Sequence, residues 1–149
     1  MEEEGDGKGA KMVVCKRIQV DTRGYGDTLD LTQDVQESVS RSGLTTGTVT
    51  LFVVGSTAAL TTLEFEPGAV RDLQDALERI APKDGIYRHR LRWGDDNGHS
   101  HVRAALVGPS LTIPFVEGRL TLGTWQQIIL VDFDTRPRKR DIVVQIMGE

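Results

Sequence analysis

From Ser110 to Met147 the chain is a series of short apolar segments, each separated by a few turn residues, with no helical period among them. Ser110–Phe115, Arg119–Leu122, Trp125–Phe133 and Ile142–Met147 read as strands, with Gly118 and Asp134–Arg138 as turns. Strands joined by links this short pair antiparallel, because a parallel crossover needs a dozen or more residues. Val102–Val107 reads as a further segment of the same kind.

The amino-terminal half adds more β and two helices. Met12–Val20 alternates with a Val- and Ile-rich composition, and Thr48–Val54 is β-branched and apolar between Gly47 and Gly55. Ser56–Glu64, rich in small hydroxyl residues, reads as a strand or strand-like turn. Leu31, Val35 and Val39 recur on one helical face behind Thr28 or Asp30 as a cap, with Gly43 as the stop. Val70, Leu73, Leu77 and Ile80 recur likewise behind Pro67. That face is expected to cover Val49, Leu51 and Val53 or their opposite-face neighbours. The expectation is an α+β, sandwich-like fold, mostly antiparallel sheet with two main helices. Residues 1–11 read as a disordered tail ahead of one domain over 12–149.

Composition narrows the function. Eighteen Lys and Arg face twenty-two Asp and Glu, a formal charge of −4, which argues against a nucleic-acid binder. No apolar run is long enough to span a bilayer. The lone Cys15 cannot close an internal disulfide and suits a reducing cytoplasm.

Four clusters carry candidate chemistry. The long polar connection Pro82–Ser100 holds or adjoins all three histidines, His89, His99 and His101, and ends in Asp95-Asp96-Asn97-Gly98. Imidazole and carboxylate suit zinc or magnesium, although Asp-Asp-Asn-Gly is also a plain turn sequence. His99 and His101, two apart, would share a face on a strand. Arg136 and Arg138 fit a phosphate, or equally a solvated hairpin tip. Thr124, Trp125 and Gln126 fit the face and edges of a ring, or a packed indole. Glu64 and Glu66 read as bases, ligands or first-turn helix acids.

Together these clusters carry a resemblance. Ser110–Ile128, with Gly123-Thr124-Trp125-Gln126 as its most specific part, resembles the signature of the YjbQ family. That family was long listed as UPF0047 and is now named secondary thiamine-phosphate synthase. Thr57-Ala58-Ala59-Leu60-Thr61, Tyr87-Arg88-His89, Asn97–His101 and Arg136–Arg140 agree in order, so the resemblance covers about residues 12–149. It implies a trimer with the polar clusters in one pocket near a subunit boundary. It also implies transfer of a pyrimidinylmethyl group from its diphosphate to a thiazole phosphate, with release of pyrophosphate.

On that reading His89, His101 and Glu64 are catalytic, and His89, His101 and Asp96 hold a divalent metal, magnesium or zinc. Thr57, Asn97, Thr124, Trp125, Gln126, Arg136 and Arg138 bind the small phosphorylated substrate. A non-catalytic trimeric binding module and a metal-dependent hydrolase are the alternatives. Many bacterial members carry His where this chain has Ser56, and the form found here is closer to archaeal members.

Overall fold

A computed structural model describes residues 12–149. The tail expected over residues 1–11 lies outside the described residues. The elements are β1 (Met12–Thr22), β2 (Asp27–Asp30), α1 (Thr32–Ser42), β3 (Gly47–Val53), β4 (Ala58–Leu63), α2 (Pro67–Ile80), α3 (Arg88–Trp93), α4 (Gly98–Val107), β5 (Ser110–Val116), β6 (Arg119–Leu120), β7 (Gln127–Asp132) and β8 (Arg138–Gly148). Five strands form one sheet in the order β1-β8-β3-β5-β6, and three form a second in the order β2-β7-β4. Every pairing is antiparallel, as the short links require.

The smaller sheet is the middle layer, and β7 shows why its sequence reads as an unbroken apolar run. Ile128 and Leu130 face the larger sheet, packing with Leu51, Phe115, Val144 and the Val35–Val39 stripe of α1. Ile129, Val131 and Phe133 face the other way, onto Leu77 of α2 and Ala104 of α4. A strand covered on both faces has no polar side to alternate with.

Two expectations are corrected here. Val102–Val107 is not a strand but the second half of helix α4, and the connection ahead of it forms the short helix α3. In the helix Ser100, Ala104 and Val107 fall on one face at i, i+4 and i+7, and Ser100 and Ala104 are buried. The second correction concerns α2. It covers the back of the three-stranded sheet, not Val49, Leu51 and Val53, which belong to the core between the sheets. Leu77 is buried and Leu73 partly so, but Ile80 is 65% exposed and stands outside that cluster.

Strand β2 had no reading of its own in the sequence. It is four residues long and pairs with β7.

Candidate functional site

The polar groups gather where β7 ends, β8 begins and β4 begins. Pairing sets this: Ala58 of β4 lies opposite Asp132 of β7, and Thr57 receives the Phe133 N–H on its carbonyl. Asp132 and Asp134, two apart, are both sealed from solvent. Such carboxylates need full partnership to stay ionised.

Arg140 supplies it for Asp132, donating from Nε at 2.7 Å and Nη2 at 2.9 Å in a bidentate pair. The Thr22 hydroxyl adds a third bond at 2.6 Å. Arg140 Nη2 also donates to Thr57 Oγ1, which in turn donates to Asp134 at 3.0 Å. Arg138 Nε donates to Asp134 at 2.8 Å. Burial pushes the Asp134 carboxyl up, but the Thr135 N–H, the Thr57 hydroxyl and Arg138 outweigh it and hold it at about 2. Gly55 completes the corner: its φ is +123°, and a Cβ there would lie 2.7 Å from Arg140 Nη1.

Against this network stands a histidine pair. The His89 and His101 ring centroids are 4.5 Å apart at 54°. His89 Nε2 lies 3.1 Å from Asp95. The Asn97 amide sits between Asp95 and Asp134. With its nitrogen turned to Asp95 it donates to that carboxylate at 3.1 and 3.2 Å. His101 is held below the ordinary imidazole value, first by burial and then by His89, while Asp95, Asp134 and a hydrogen bond with the Ser56 backbone act the other way. Ser56 therefore stands beside the imidazole pair.

The other sequence candidates lie elsewhere. Asp96 makes no hydrogen bond to the His89–His101 pair and accepts from Thr135 Oγ1 at 2.9 Å. The carboxylate on the histidine pair is Asp95. His99 does not share a face with His101, because both sit on helix α4, where two positions are about 200° apart. It is buried beside Tyr87, ring centroids 6.3 Å apart, with Nδ1 unpartnered. Arg136 is exposed on the β7–β8 link.

Thr124, Trp125 and Gln126 precede β7, beyond the end of the strand opposite Asp132, and the strand alone spans about 17 Å. Trp125 is 73% exposed. Gln126 donates to Thr62 Oγ1 at 3.1 Å and accepts the Gly123 N–H at 3.1 Å, on the wall of a cleft of about 330 Å³ between β4 and β5. Glu64 follows β4 at this same far end. Glu66 caps α2, accepting the Gly68 and Ala69 N–H groups. One chain thus carries two clusters, a histidine–aspartate–arginine cluster and a tryptophan–glutamine cluster, at opposite ends of the middle sheet.

Asp132 and Asp134 were not singled out in the sequence, and Asp95 and Arg140 stood in its polar and basic clusters without a role of their own. The first two had a signal: acids flanking Phe133 where an apolar strand ends, followed by an Arg-rich stretch, point to a paired buried network.

Among the described residues no group of three or more His, Cys, Asp or Glu is arranged to hold a metal ion. The nearest donor set is His89, His101 and Asp95, with Asp95 already against His89. A single chain therefore does not complete a metal site of the expected kind.

The architecture and its sites define an α+β protein of two stacked antiparallel sheets, with a buried aspartate–arginine network under a histidine pair. Residues 16–149 match the UPF0047 protein YjbQ-like family, and the chain belongs to it. A UPF0047 protein of Methanothermobacter thermautotrophicus is 36% identical over 137 residues, covering 92% of this chain and 94% of the relative. One from Synechocystis is 39% identical over 117 residues, covering 77% and 79%. The crystal structure of a YbjQ-like protein of unknown function from Sulfolobus solfataricus superposes with a TM-score of 0.89 at 34% identity, over 94% of this chain and 100% of that one.

Proposed function

We propose that the histidine–arginine cluster takes a small diphosphate and that the chain performs a thiamine-phosphate synthase-type transfer. The observation that carries this reading is the His89–His101 pair, ring centroids 4.5 Å apart, with the carboxylate of Asp134, the partner of Arg138, near enough for its charge to act on His101. It sets imidazole and guanidinium donors side by side at a partly open surface, as a charged leaving group needs.

In the transfer, a thiazole nitrogen bonds to the pyrimidinylmethyl carbon as that carbon's bond to the diphosphate oxygen breaks. The electron pair leaves with pyrophosphate. The protein's work is to accept negative charge on that oxygen. Arg138, one-third exposed in its side chain, faces the diphosphate with its free guanidinium edge, while Asp134 fixes its direction. His101, whose charged form burial disfavours, is the candidate hydrogen-bond donor to the leaving oxygen, and His89, set by Asp95, keeps it oriented. No step is routed through a metal, since the single-chain donor set does not fit one.

Trp125 and Gln126 would hold a ring, but they lie too far along β7 to reach a substrate seated at His101 of the same chain. A neighbouring copy supplies them in this reading, which is why it includes the trimer that the resemblance implies. The test is to incubate the pure chain with the two thiamine precursors, with and without Mg²⁺, and to measure pyrophosphate. Release above blank, lost in His101→Ala and in Trp125→Ala, is the expected result. Release by neither preparation overturns the transfer and leaves a binding module.

A further inference from the structure

We infer that Trp93 of α3 is a ligand-binding residue of the histidine site, the platform on which the pyrimidine ring of the diphosphate stacks. The inference rests on the diphosphate reading of the His89–His101 pair, which leaves Trp93 without a role.

Helix α3 buries none of its residues. It is tied to the site through His89, which packs on His101 and bonds to Asp95. Trp93 follows His89 by four residues, so the two share one face of the helix about one turn apart. Long side chains on a helix lean towards its N-terminus, which carries the indole towards His89. The ring is nevertheless 66% exposed. Leu91, exposed as well, lies two positions from His89 and so on the opposite face, where it takes no part.

Arg92 is the second observation. Its guanidinium stands 5.3 Å over the Trp93 ring. Among the described residues it pairs with no carboxylate. The acids of the next turn are already engaged, Asp95 with His89 and Asp96 with Thr135. An uncompensated positive charge is thus held on the helix that carries His89. It covers one face of the indole, and the exposure of the ring leaves the other for a ligand.

Charge and distance select the occupant. The free guanidinium favours an anion next to the histidine pair. A ring joined to its diphosphate through one methylene spans about one helical turn, about 5.4 Å. With the phosphates at the histidines, the ring therefore falls on Trp93 and stacks there. The transfer brings two rings to one centre. Trp93 takes the ring that carries the leaving group, and Trp125 of a neighbouring copy is left for the thiazole.

The full chain is titrated by calorimetry with the pyrimidinylmethyl diphosphate and separately with inorganic pyrophosphate, with no thiazole phosphate present. Trp93→Ala should weaken the first ligand by about tenfold and pyrophosphate by less than about twofold. Trp93→Phe should recover most of the loss, and Arg92→Gln should weaken both ligands. Because α3 buries nothing, each variant should melt with the natural chain. Unchanged binding of the pyrimidinylmethyl diphosphate by Trp93→Ala overturns the inference. So does an equal loss for both ligands, no recovery in Trp93→Phe, unchanged binding of both by Arg92→Gln, or no binding by the natural chain. A Trp93→Ala chain that binds as before but sediments as a smaller particle gives the indole to a neighbouring copy and overturns it too. Binding and transfer fail separately: the selective loss in Trp93→Ala upholds the platform even where no pyrophosphate is released, and transfer at the natural rate by Trp93→Ala sinks the platform alone.

Discussion

Asp134 shows how one residue ties the fold to the site. It is sealed from solvent, yet holds Thr57, Arg138 and the turn at Thr135 together. Its folded value, about 2 against an ordinary 3.8, is depressed, so its contribution is complete above the unfolded value and is lost as pH falls from about 4 towards 2. That contribution is about 2 kcal/mol. Asp134→Asn should therefore lower stability at pH 7 by at least that much, and by far less near pH 2, as chemical denaturation at the two pH values will read. Leu77 and Ile80 make a second contrast. Leu77→Ala should cost about 2–5 kcal/mol. Ile80→Ala, on the exposed end of the same stripe, should stay within about 0.5 kcal/mol.

Helix α4 presents both buried groups and candidate site groups from its first turn. His99 faces inward, and burial, followed by the Arg103 and Lys83 charges, holds its imidazole below the ordinary value against the pull of Glu78 and Asp96. For a histidine depressed in the folded state the unfolded chain takes the proton more readily. The stabilisation is therefore complete above the unfolded value of about 6.5 and declines as pH falls below it. Lowering the pH from 7.5 to 5 should reduce the melting temperature more in the natural chain than in His99→Gln. An equal loss in both would show that His99 does not carry the acid sensitivity. Because Asn97 and His101 sit on the same turn, loosening it also moves the candidate site.

At the scale of the molecule, the two polar clusters at opposite ends of the middle sheet are the main fact. A single copy cannot bring them onto one small substrate. The outer face of the larger sheet also leaves Phe52, Val116 and Met147 about half exposed, an apolar surface available to a neighbour. Sedimentation at micromolar concentration should find about three chains per particle. A monomer would remove the shared site, and with it the role given to Trp125.

Much of this was legible in the chain. The α+β class, helix α1 with its Gly43 stop, α2 and most of the strands follow from local periodicity, because turn chemistry and apolar spacing act over a few residues. The association of His89 with an acid in Asp95–Asn97 was open to sequence, since both lie on one connection. Three things were decided only in three dimensions. The choice of helix over strand for Val102–Val107 depended on a second apolar face to cover, and Ala104 meets it on the back of β7. Which face α2 covers depended on sheet order, which no local pattern encodes. The separation of Trp125 from His101 depended on β7, whose two ends carry the two clusters, so that motifs of one resemblance stand a strand's length apart. Spacing along a chain gives the faces of an element; only pairing and register determine which elements bring their ends together.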